Sequence, residues 1–527
     1  MKMGKKSTKI IIAAAVAVVV IALVLVGIFV VKPAIDNNNE TTVPTVSQQN
    51  QSGNYEYVDY KGVQMAKELA DILEQAEKDS KAASKKYGTV CKIGDWEISD
   101  SEFAMHYLDQ YNQKLHEVEY AIQQRGSNVT GFDPLKFPTE QKYIQGDTTW
   151  ADRFASTAIS NLQNVYITFD AAIEAGVTLE EHEIDMLIAS YERINDYVLN
   201  NDTTPDGYVS KVYGSGATYA LFARREIVLT YAVKYEEMMA EKYTSELTDE
   251  ELEKRLAEDP NAYTAIKARI YPIQAEYDAV ELSKVSTEEE FLEFAKNNYP
   301  QEGYNAETET QCFYVTRDNI VSSFGEAVGN WMFDSKRVQG EVGLVMGELY
   351  ECLVYIEELP RYINSNDVIY CHKPLFGNET AEQLDELYNQ FKEVYDTVAG
   401  KSLTPEEFRN TFGNMGDGVE EITAMADDFY FEASNWILDS SRKSGDVEMF
   451  ADSEAGIYVI CYLGENTDDP EWKHYMKTAI SNEKYTEHYN SAVNKTKFKE
   501  YTDEIAEAAV RANDVVAYVI EKKNEKK

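Results

Sequence analysis

The longest apolar run in the chain lies close to its N-terminus. It starts at Ile10 and ends at Val31, and these 22 residues include no charged or polar side chain. A helix of that length spans about 33 Å, enough to cross a hydrocarbon layer of about 30 Å. Residues 1–9 carry four lysines and no acidic residue, and lysines favour the cytoplasmic side of a membrane. The pattern predicts a cytoplasmic tail (1–9), a single transmembrane helix (10–31) and an extracellular remainder.

A cleaved secretory signal is the alternative use of such a run. Its apolar part is usually about 7–15 residues long and precedes a small-residue cleavage site. Here the run is longer, and Val31-Lys32-Pro33 offers no such site. No cysteine follows for lipid attachment. Residues 32–54 are polar and lack apolar periodicity, which is typical of a flexible linker at the cell membrane.

Helical periodicity dominates the next part of the chain, residues 55–258. A short strand-like run covers residues 89–98, and we expect helices over most of the remainder, starting near Gly62. Three capping boxes mark helix starts, because a Ser or Thr and a Glu three residues later satisfy each other's free amides. They are Ser99 with Glu102, Thr178 with Glu181, and Thr248 with Glu251. So many helices must pack on one another, which predicts a helical domain.

A repeat occupies the second half of the chain. Residues 324–342 align without a gap on residues 429–447, and eight of the nineteen pairs are identical, including Trp331 with Trp436. Strand-like residues 350–355 then match 457–462 at an offset of 107. Each copy combines strands and helices, which predicts two α+β domains at 259–361 and 362–468. A helical segment, 469–527, has enough apolar positions to pack back on the body. The fold class is therefore α+β and multidomain.

Charge and composition narrow the function. The 527 residues include 50 Lys and Arg against 92 Asp and Glu, a net charge of −42. Nucleic acid is excluded as a partner, because its binding needs a basic surface. An apolar content of 44% and an aromatic content of 12% exclude a disordered acidic chain. The folded part outside the membrane is strongly acidic.

Motifs for cofactors and metals are missing from the sequence. It contains no glycine-rich phosphate loop, no Gly-x-Ser-x-Gly elbow and no His-Glu-x-x-His. The five cysteines are scattered, and Cys371-His372 has no companion at zinc-ligand spacing. Paired acids such as Asp427-Asp428 are typical of solvated faces in so acidic a chain. We therefore expect no cofactor and no metal.

Several short segments resemble those of one protein family. Residues 90–103 form a strand-turn-helix, residues 247–252 read Leu-Thr-Asp-Glu-Glu-Leu, and two α+β repeats follow. In the second repeat, Asn-Met-Gly-Asp-Gly at 414–418 stands where parvulins have Gly-Gly-Asp-Leu-Gly, and residues 456–460 stand where they have Gly-Tyr-His-Ile. Over about residues 89–499 the chain is similar to the PrsA-type and SurA-type foldases. The resemblance implies a helical chaperone domain that binds unfolded clients and two tandem parvulin-like domains that isomerise X-Pro bonds or bind further client segments.

The two parvulin histidines are replaced in both repeats. In the first repeat their positions fall on Ile270 and Glu351, and in the second on Tyr370 and Tyr458, with His372 two residues beyond Tyr370. We therefore expect parvulin-like domains without catalysis. The pocket that remains in the second repeat would be lined by Tyr370, His372, Met425, Phe431, Trp436 and Tyr458.

Three functions are compatible with these features. The first is a membrane-anchored extracytoplasmic chaperone that binds unfolded or newly secreted polypeptides through broad apolar and aromatic surface. The second has the same architecture, with an active prolyl cis-trans isomerase in the second repeat. The third is a surface scaffold or sensor that binds one partner.

Overall fold

The computed structural model describes residues 55–525, apart from 126, 129, 144–147, 202, 274–276, 278, 299–304, 348–350, 376–380, 426–427, 453–455 and 469. The predicted tail (1–9), transmembrane helix (10–31) and linker (32–54) lie outside the described residues. Among those described, no helix is both long and apolar enough to span a membrane. The described residues divide into two compact units. One contains those from 55 to 245 together with those from 481 to 525, and the other is Glu246–Ile480.

The first unit is mainly helical and contains short strands. The elements of its N-terminal part are β1 (Tyr57–Tyr60), β2 (Val63–Ala66), α1 (Lys67–Tyr87), β3 (Thr89–Ile93), β4 (Trp96–Ser99), α2 (Asp100–Arg125), a 3-10 turn (Pro138–Glu140), α3 (Trp150–Glu174), α4 (Glu181–Asn201), α5 (Pro205–Tyr213) and α6 (Tyr219–Ser245).

The second unit contains both repeats. Its elements are α7 (Asp249–Glu258), β5 (Thr264–Ile273), α8 (Ala279–Leu282), α9 (Glu288–Asn298), α10 (Ala306–Glu309), β6 (Gln311–Thr316), α11 (Arg317–Phe324), α12 (Glu326–Met332), β7 (Val342–Met346), β8 (Glu351–Tyr362), β9 (Ser365–Lys373), α13 (Ala381–Asp396), α14 (Pro405–Phe412), β10 (Val419–Ala424), α15 (Phe431–Leu438), β11 (Val447–Asp452) and β12 (Gly456–Asn466).

The chain then returns to the first unit. Helix α16 (Glu471–Lys495) crosses the boundary between the units, and β13 (Phe498–Glu500) and α17 (Thr502–Glu525) complete the first unit. The predicted packing of the C-terminal segment is observed, because Ala508, Ala512 and Val516 of α17 are buried in the core of the first unit. Arg511 also binds Asp100, at the start of α2, at 2.6 Å.

Strands of the first unit are more numerous than predicted. The helix expected from Gly62 begins only at Lys67, because residues 57–66 form the β1–β2 hairpin. Lys61 and Gly62 both have positive φ angles, of 52° and 93°, as tight two-residue hairpin turns require. The single run at 89–98 is a second hairpin, β3–β4, and β13 pairs with β3 to make three strands. A three-residue strand leaves too short a pattern to recognise in a sequence.

Two of the three predicted capping boxes are present. The Ser99 hydroxyl and the Glu102 carboxylate accept each other's backbone amides, and Thr248 and Glu251 form the same arrangement. The prediction for Thr178 with Glu181 was wrong. Helix α4 begins at Glu181, and its first turn is capped instead by the Glu183 carboxylate, which accepts from the Glu180 amide.

The two repeats have the same sheet topology. Both are four-stranded and antiparallel, in the orders β6-β5-β8-β7 and β10-β9-β12-β11. We refer to residues 264–362 as repeat one and to residues 365–466 as repeat two. Strands β6 and β10 were not predicted, because both are mixed polar and apolar strands at a sheet edge. Helix α7, assigned from the sequence to the helical domain, belongs to the second unit.

Backbone pairing corrects the alignment of the last strands. Gly340 donates to the Ile356 carbonyl in repeat one, and Gly445 donates to the Tyr462 carbonyl in repeat two. Ile356 is therefore equivalent to Tyr462, an offset of 106 rather than the predicted 107. A shift of one residue exchanges the two faces of a strand, so this correction decides which side chains share a face.

Candidate functional site

The two faces of the repeat-two sheet are covered very differently. On one face, Ile369, Cys371, Val459 and Cys461 are fully buried, and they pack with Phe391 of α13 and with two phenylalanines of α14, Phe408 and Phe412. Alternate residues of β9 and β12 face the opposite side. There Tyr370, His372 and Tyr458 are only half-buried beneath the short helix α15. An aromatic surface is therefore left partly open.

Tyr458 is the centre of this surface. Its ring stacks on that of His372, with 3.9 Å between centroids and 10° between planes. Three further rings have centroids within 6.3 Å of the Tyr458 ring. We call the whole set the aromatic face, and its members are Tyr370, His372, Phe429, Tyr430, Phe450 and Tyr458. Tilted and edge-on contacts of this kind stabilise a rigid cluster of rings.

Hydroxyl groups add polar sites to the aromatic face. The Tyr370 hydroxyl donates to the Glu420 carboxylate at 2.6 Å. Burial, followed by this hydrogen bond and the nearby negative charge, raises the pKa of Tyr370 above its usual value. Burial also raises the pKa of Tyr458. Both phenols therefore stay protonated at neutral pH. The Tyr370 proton is donated to Glu420, and Tyr458 adds a second hydroxyl beside the apolar floor.

The predicted pocket residues are placed as follows. Tyr370, His372 and Tyr458 come together, since Tyr370 and His372 pair across the sheet with Ile460 and Tyr458. Trp436 borders the cluster, with its ring 5.8 Å from that of Phe450. Met425 follows β10, half-buried, and its amide donates to Asp428. Phe431 begins α15, and its side chain lies outside the described part of the chain.

Four members of the site were missed by the sequence reasoning. They are Glu420, Phe429, Tyr430 and Phe450. Phe450 faces Tyr458 across the β11–β12 pair, and Glu420 faces Tyr370 across β10–β9. The match of Phe324 with Phe429 in the repeat was the available signal for that residue. The others depend on strand pairing, which the sequence does not display.

Two glycines shape the rim of the site. Gly416 has a φ of 55°, and a Cβ there would lie 2.3 Å from the His372 carbonyl oxygen. Gly456 has a φ of 108°, and a Cβ there would lie 2.3 Å from the Lys373 carbonyl oxygen. Both positions require glycine because the backbone approaches β9 closely. The turn at 414–418 and the start of β12 at Gly456 therefore hold the end of β9, where His372 lies.

Repeat one has smaller, non-aromatic residues at the positions of Tyr370 and Tyr458. Ile270 pairs with Val354 as Tyr370 pairs with Ile460, so Ile270 is equivalent to Tyr370, as predicted. The prediction that Glu351 is equivalent to Tyr458 was wrong, because the corrected offset places Cys352 there. Ile270 and Cys352 are buried at 2% and 1% exposure, in a closed core. Repeat one therefore has no counterpart of the aromatic face among its described residues.

A polar cleft in the first unit was not anticipated from the sequence. It is lined by α2, α3 and α6, and Arg225 crosses it to bind Asp109 at 2.6 Å and Glu226 at 2.8 Å. The adjacent Arg224 pairs with Glu102, with both side chains almost fully buried. The run Arg224-Arg225-Glu226 within the otherwise uncharged stretch 219–233 of α6 was the visible signal. These ion pairs link α6 to α2.

No protein-family model matches this chain, and no curated protein matches it. Its function is therefore argued from its own residues.

Metal and thiol chemistry gain no support from the described residues. No group of three His, Cys, Asp or Glu side chains among them is arranged to hold a metal ion. Cys371 and His372 are neighbours on β9, so their side chains lie on opposite faces of the sheet. All five cysteines are free thiols. The chemistry available at the aromatic face is that of rings, hydroxyls and one imidazole, which suits non-covalent binding.

Proposed function

We propose that this chain is a membrane-anchored extracytoplasmic folding factor that binds unfolded, newly secreted polypeptides. Residues 10–31 anchor it, residues 1–9 remain in the cytoplasm, and both described units lie outside. The helical first unit serves as a SurA-like chaperone domain, and the two repeats are parvulin-like domains that bind without isomerising. The observation that carries the proposal is the aromatic face of repeat two.

The aromatic face has the properties that client binding needs. Unfolded segments expose apolar and aromatic side chains in no fixed order, so their receptor must accept many shapes. Tyrosine and histidine rings offer large contact areas, lose little conformational entropy and keep a polar edge for water or a backbone carbonyl. Five of the six rings are half-buried rather than enclosed. Rings held in place but still accessible are ready to bind without rearrangement.

The proposed kinship of the repeats with parvulins has its own support. Both repeats have one strand order. Three of the six rings of repeat two, Tyr370, His372 and Tyr458, lie on β9 and β12, the first and last strands of the aligned motif. The Gly416 turn approaches β9 at the position where the family has its glycine-rich turn. Replacement of both histidines by tyrosine favours binding over catalysis.

Aggregation of a reduced, proline-poor client protein tests the proposal. The full chain in several-fold excess should suppress light scattering by the client. Tyr458→Ser should lower client affinity about tenfold, since tyrosines that become buried on binding contribute much of the binding energy of an interface. Tyr388→Ser is the matched control, because Tyr388 is 41% exposed on α13, outside the aromatic face. No suppression by the unmodified chain at several-fold excess would contradict the proposal.

Active prolyl isomerisation is the second candidate, favoured by the Tyr370–Glu420 pair beside an apolar floor. Isomerisation must only weaken the double-bond character of an amide against a barrier of about 18–20 kcal/mol. The Tyr370 hydroxyl would assist this by turning its proton from Glu420 to the twisting amide. A proline-peptide isomerisation assay should then show catalysis that Tyr370→Phe reduces. A rate equal to the uncatalysed one leaves binding as the function.

A scaffold or sensor that binds one partner is distinguished by pull-down from the native envelope. Many substoichiometric secreted proteins are expected for a chaperone. A single stoichiometric partner would favour the scaffold.

A further inference from the structure

Strand β7 of repeat one is an edge strand of an uncommon kind. It reads Val-Gly-Leu-Val-Met and carries no charge. No described strand pairs with its outer edge. Leu344 is 44% exposed and Met346 is 61% exposed. Natural proteins usually protect such edges with charged residues, prolines or bulges, because an open edge accepts another strand.

The hydrogen-bond pattern shows which backbone groups face outward. Ile356 donates to the Glu341 carbonyl, and bonded pairs then alternate along an antiparallel ladder. Gly343 with Val354 and Val345 with Cys352 are thus the bonded pairs. The amides and carbonyls of Val342, Leu344 and Met346 point away from the sheet. These three residues present the pattern that an added strand needs.

The equivalent edge of repeat two is protected. There the Glu448 carboxylate accepts from the outward Met449 amide at 3.2 Å. The same oxygen also accepts from the Tyr395 hydroxyl of α13 at 2.7 Å. Glu448 therefore folds over the outer edge of β11 and occupies its central outward donor, the Met449 amide.

Repeat one cannot use the same device. Gly343 stands where repeat two has Glu448, and a Cβ at Gly343 would lie 2.1 Å from the Trp331 ring. Packing of the tryptophan therefore excludes any side chain that could fold over β7. The open edge is a consequence of how Trp331 fits against the sheet.

Charge indicates what kind of strand would be added. The second unit, Glu246–Ile480, holds 49 acidic against 18 basic residues and so carries most of the net charge of −42. Such a field attracts basic segments and repels acidic ones. An extended segment of alternating apolar and basic residues would match both the exposed side chains and the field.

We propose that the outer edge of β7 binds an extended apolar and basic polypeptide segment as an added strand. This inference rests on the proposed function, of which it specifies the mode of client recognition. Main-chain hydrogen bonds to Val342, Leu344 and Met346 supply affinity that is independent of client sequence, and Leu344 and Met346 contact alternate client side chains. The aromatic face of repeat two is a separate site.

Binding of a labelled, blocked peptide of alternating valine and lysine, seven residues long, tests this proposal. In the full chain, hydrogen exchange at residues 340–347 should slow at least about tenfold when the peptide binds, while residues 447–452 remain unchanged. Leu344→Pro removes one outward amide and no ladder bond, so the fold tolerates it. It should weaken peptide binding about tenfold. Ala451→Pro, at an exposed outward position of β11, is the matched control and should bind normally.

Other outcomes would overturn the inference. Unchanged exchange at 340–347 and unchanged binding by Leu344→Pro would place the peptide elsewhere. If the unmodified chain still suppressed client aggregation, the proposed function would survive that result. Concentration-dependent dimerisation lost in Leu344→Pro would identify a second copy of the chain as the occupant. Equal affinity for a valine–glutamate peptide would contradict the role of charge.

Discussion

Burial decides the charge states of several residues in the first unit. Burial alone would raise the pKa of Glu102, but Arg224 and hydrogen bonds from Ser80, Ser99 and Tyr166 hold it below its usual value. Burial lowers the pKa of His106 to about 3, and the positive charge of Arg225 adds to this effect. A carboxylate and a neutral imidazole thus both line the cleft between α2, α3 and α6.

Replacement of His106 tests whether burial keeps this imidazole uncharged in the folded chain. The unfolded chain binds a proton at this histidine below about pH 6.5, whereas the folded chain does so only near pH 3. The free energy of unfolding should therefore fall by about 1 kcal/mol per pH unit as the pH drops between these values. His106→Gln should remove that part of the slope in urea titrations. His182→Gln, at an exposed histidine, is the control, and an identical slope in both variants would contradict the burial argument.

Substitution of Gly416 measures how tightly the rim of the aromatic face is fixed. Gly416→Ala should destabilise the second unit by about 3 kcal/mol, because the added methyl meets the His372 carbonyl. Gly400→Ala should cost only about 1 kcal/mol, since Gly400 has a similar φ of 73° and no atom within 4 Å of the new methyl. Thermal unfolding compares the two. Equal losses would mean that backbone conformation alone requires glycine there.

At the scale of elements, helices and strands were predictable from the sequence when their apolar and polar pattern was long. Long helices such as α3 and α6 were recognisable, as were the capping boxes at Ser99 and Thr248. Edge strands β6 and β10 were not, because one face of each is solvated and their residues mix polar with apolar types. Strand β13 was missed because three residues carry no periodicity and its pairing with β3 joins positions about 400 residues apart.

Helix α17 shows how a distant element completes a core. Ala512 is 2% exposed in the core of the first unit, whereas Val510 on the same helix is 59% exposed. Ala512→Gln should destabilise the first unit by about 3 kcal/mol through overpacking and a buried amide. Val510→Gln should change stability by less than about 0.5 kcal/mol. Urea unfolding followed by circular dichroism compares the pair, and equal effects would show that α17 does not pack as described.

At the scale of the molecule, charge is divided unequally between the two units. The second unit carries most of the net charge of −42. The repeat that reveals its architecture was instead recognised from uncharged residues, namely tryptophan, glycine and phenylalanine. Tyr370, His372 and Tyr458 were nominated from the motif alone. Their neighbours Phe450 and Glu420 emerge only from strand pairing, since an offset of one residue exchanges the faces. The order of elements was therefore more predictable than the composition of the site.

Salt dependence of client binding should follow from this charge. Raising salt from about 0.05 to 0.5 M shortens the screening length from about 14 to 4 Å. The affinity for an unfolded basic client should fall about tenfold, while that for an unfolded acidic client should rise or stay constant. Fluorescence anisotropy with labelled clients measures both. A fall of equal size for the two clients would contradict electrostatic selection.

The order in which the chain leaves and re-enters the first unit has a consequence for biosynthesis. Synthesis of the 235 residues of the second unit takes roughly 10 to 50 seconds at about 5–20 residues per second. During that interval β3 lacks β13, and the surface of α2 that α17 covers stays exposed. The first unit of a protein proposed to assist the folding of others therefore waits, incomplete, until the second unit has been made.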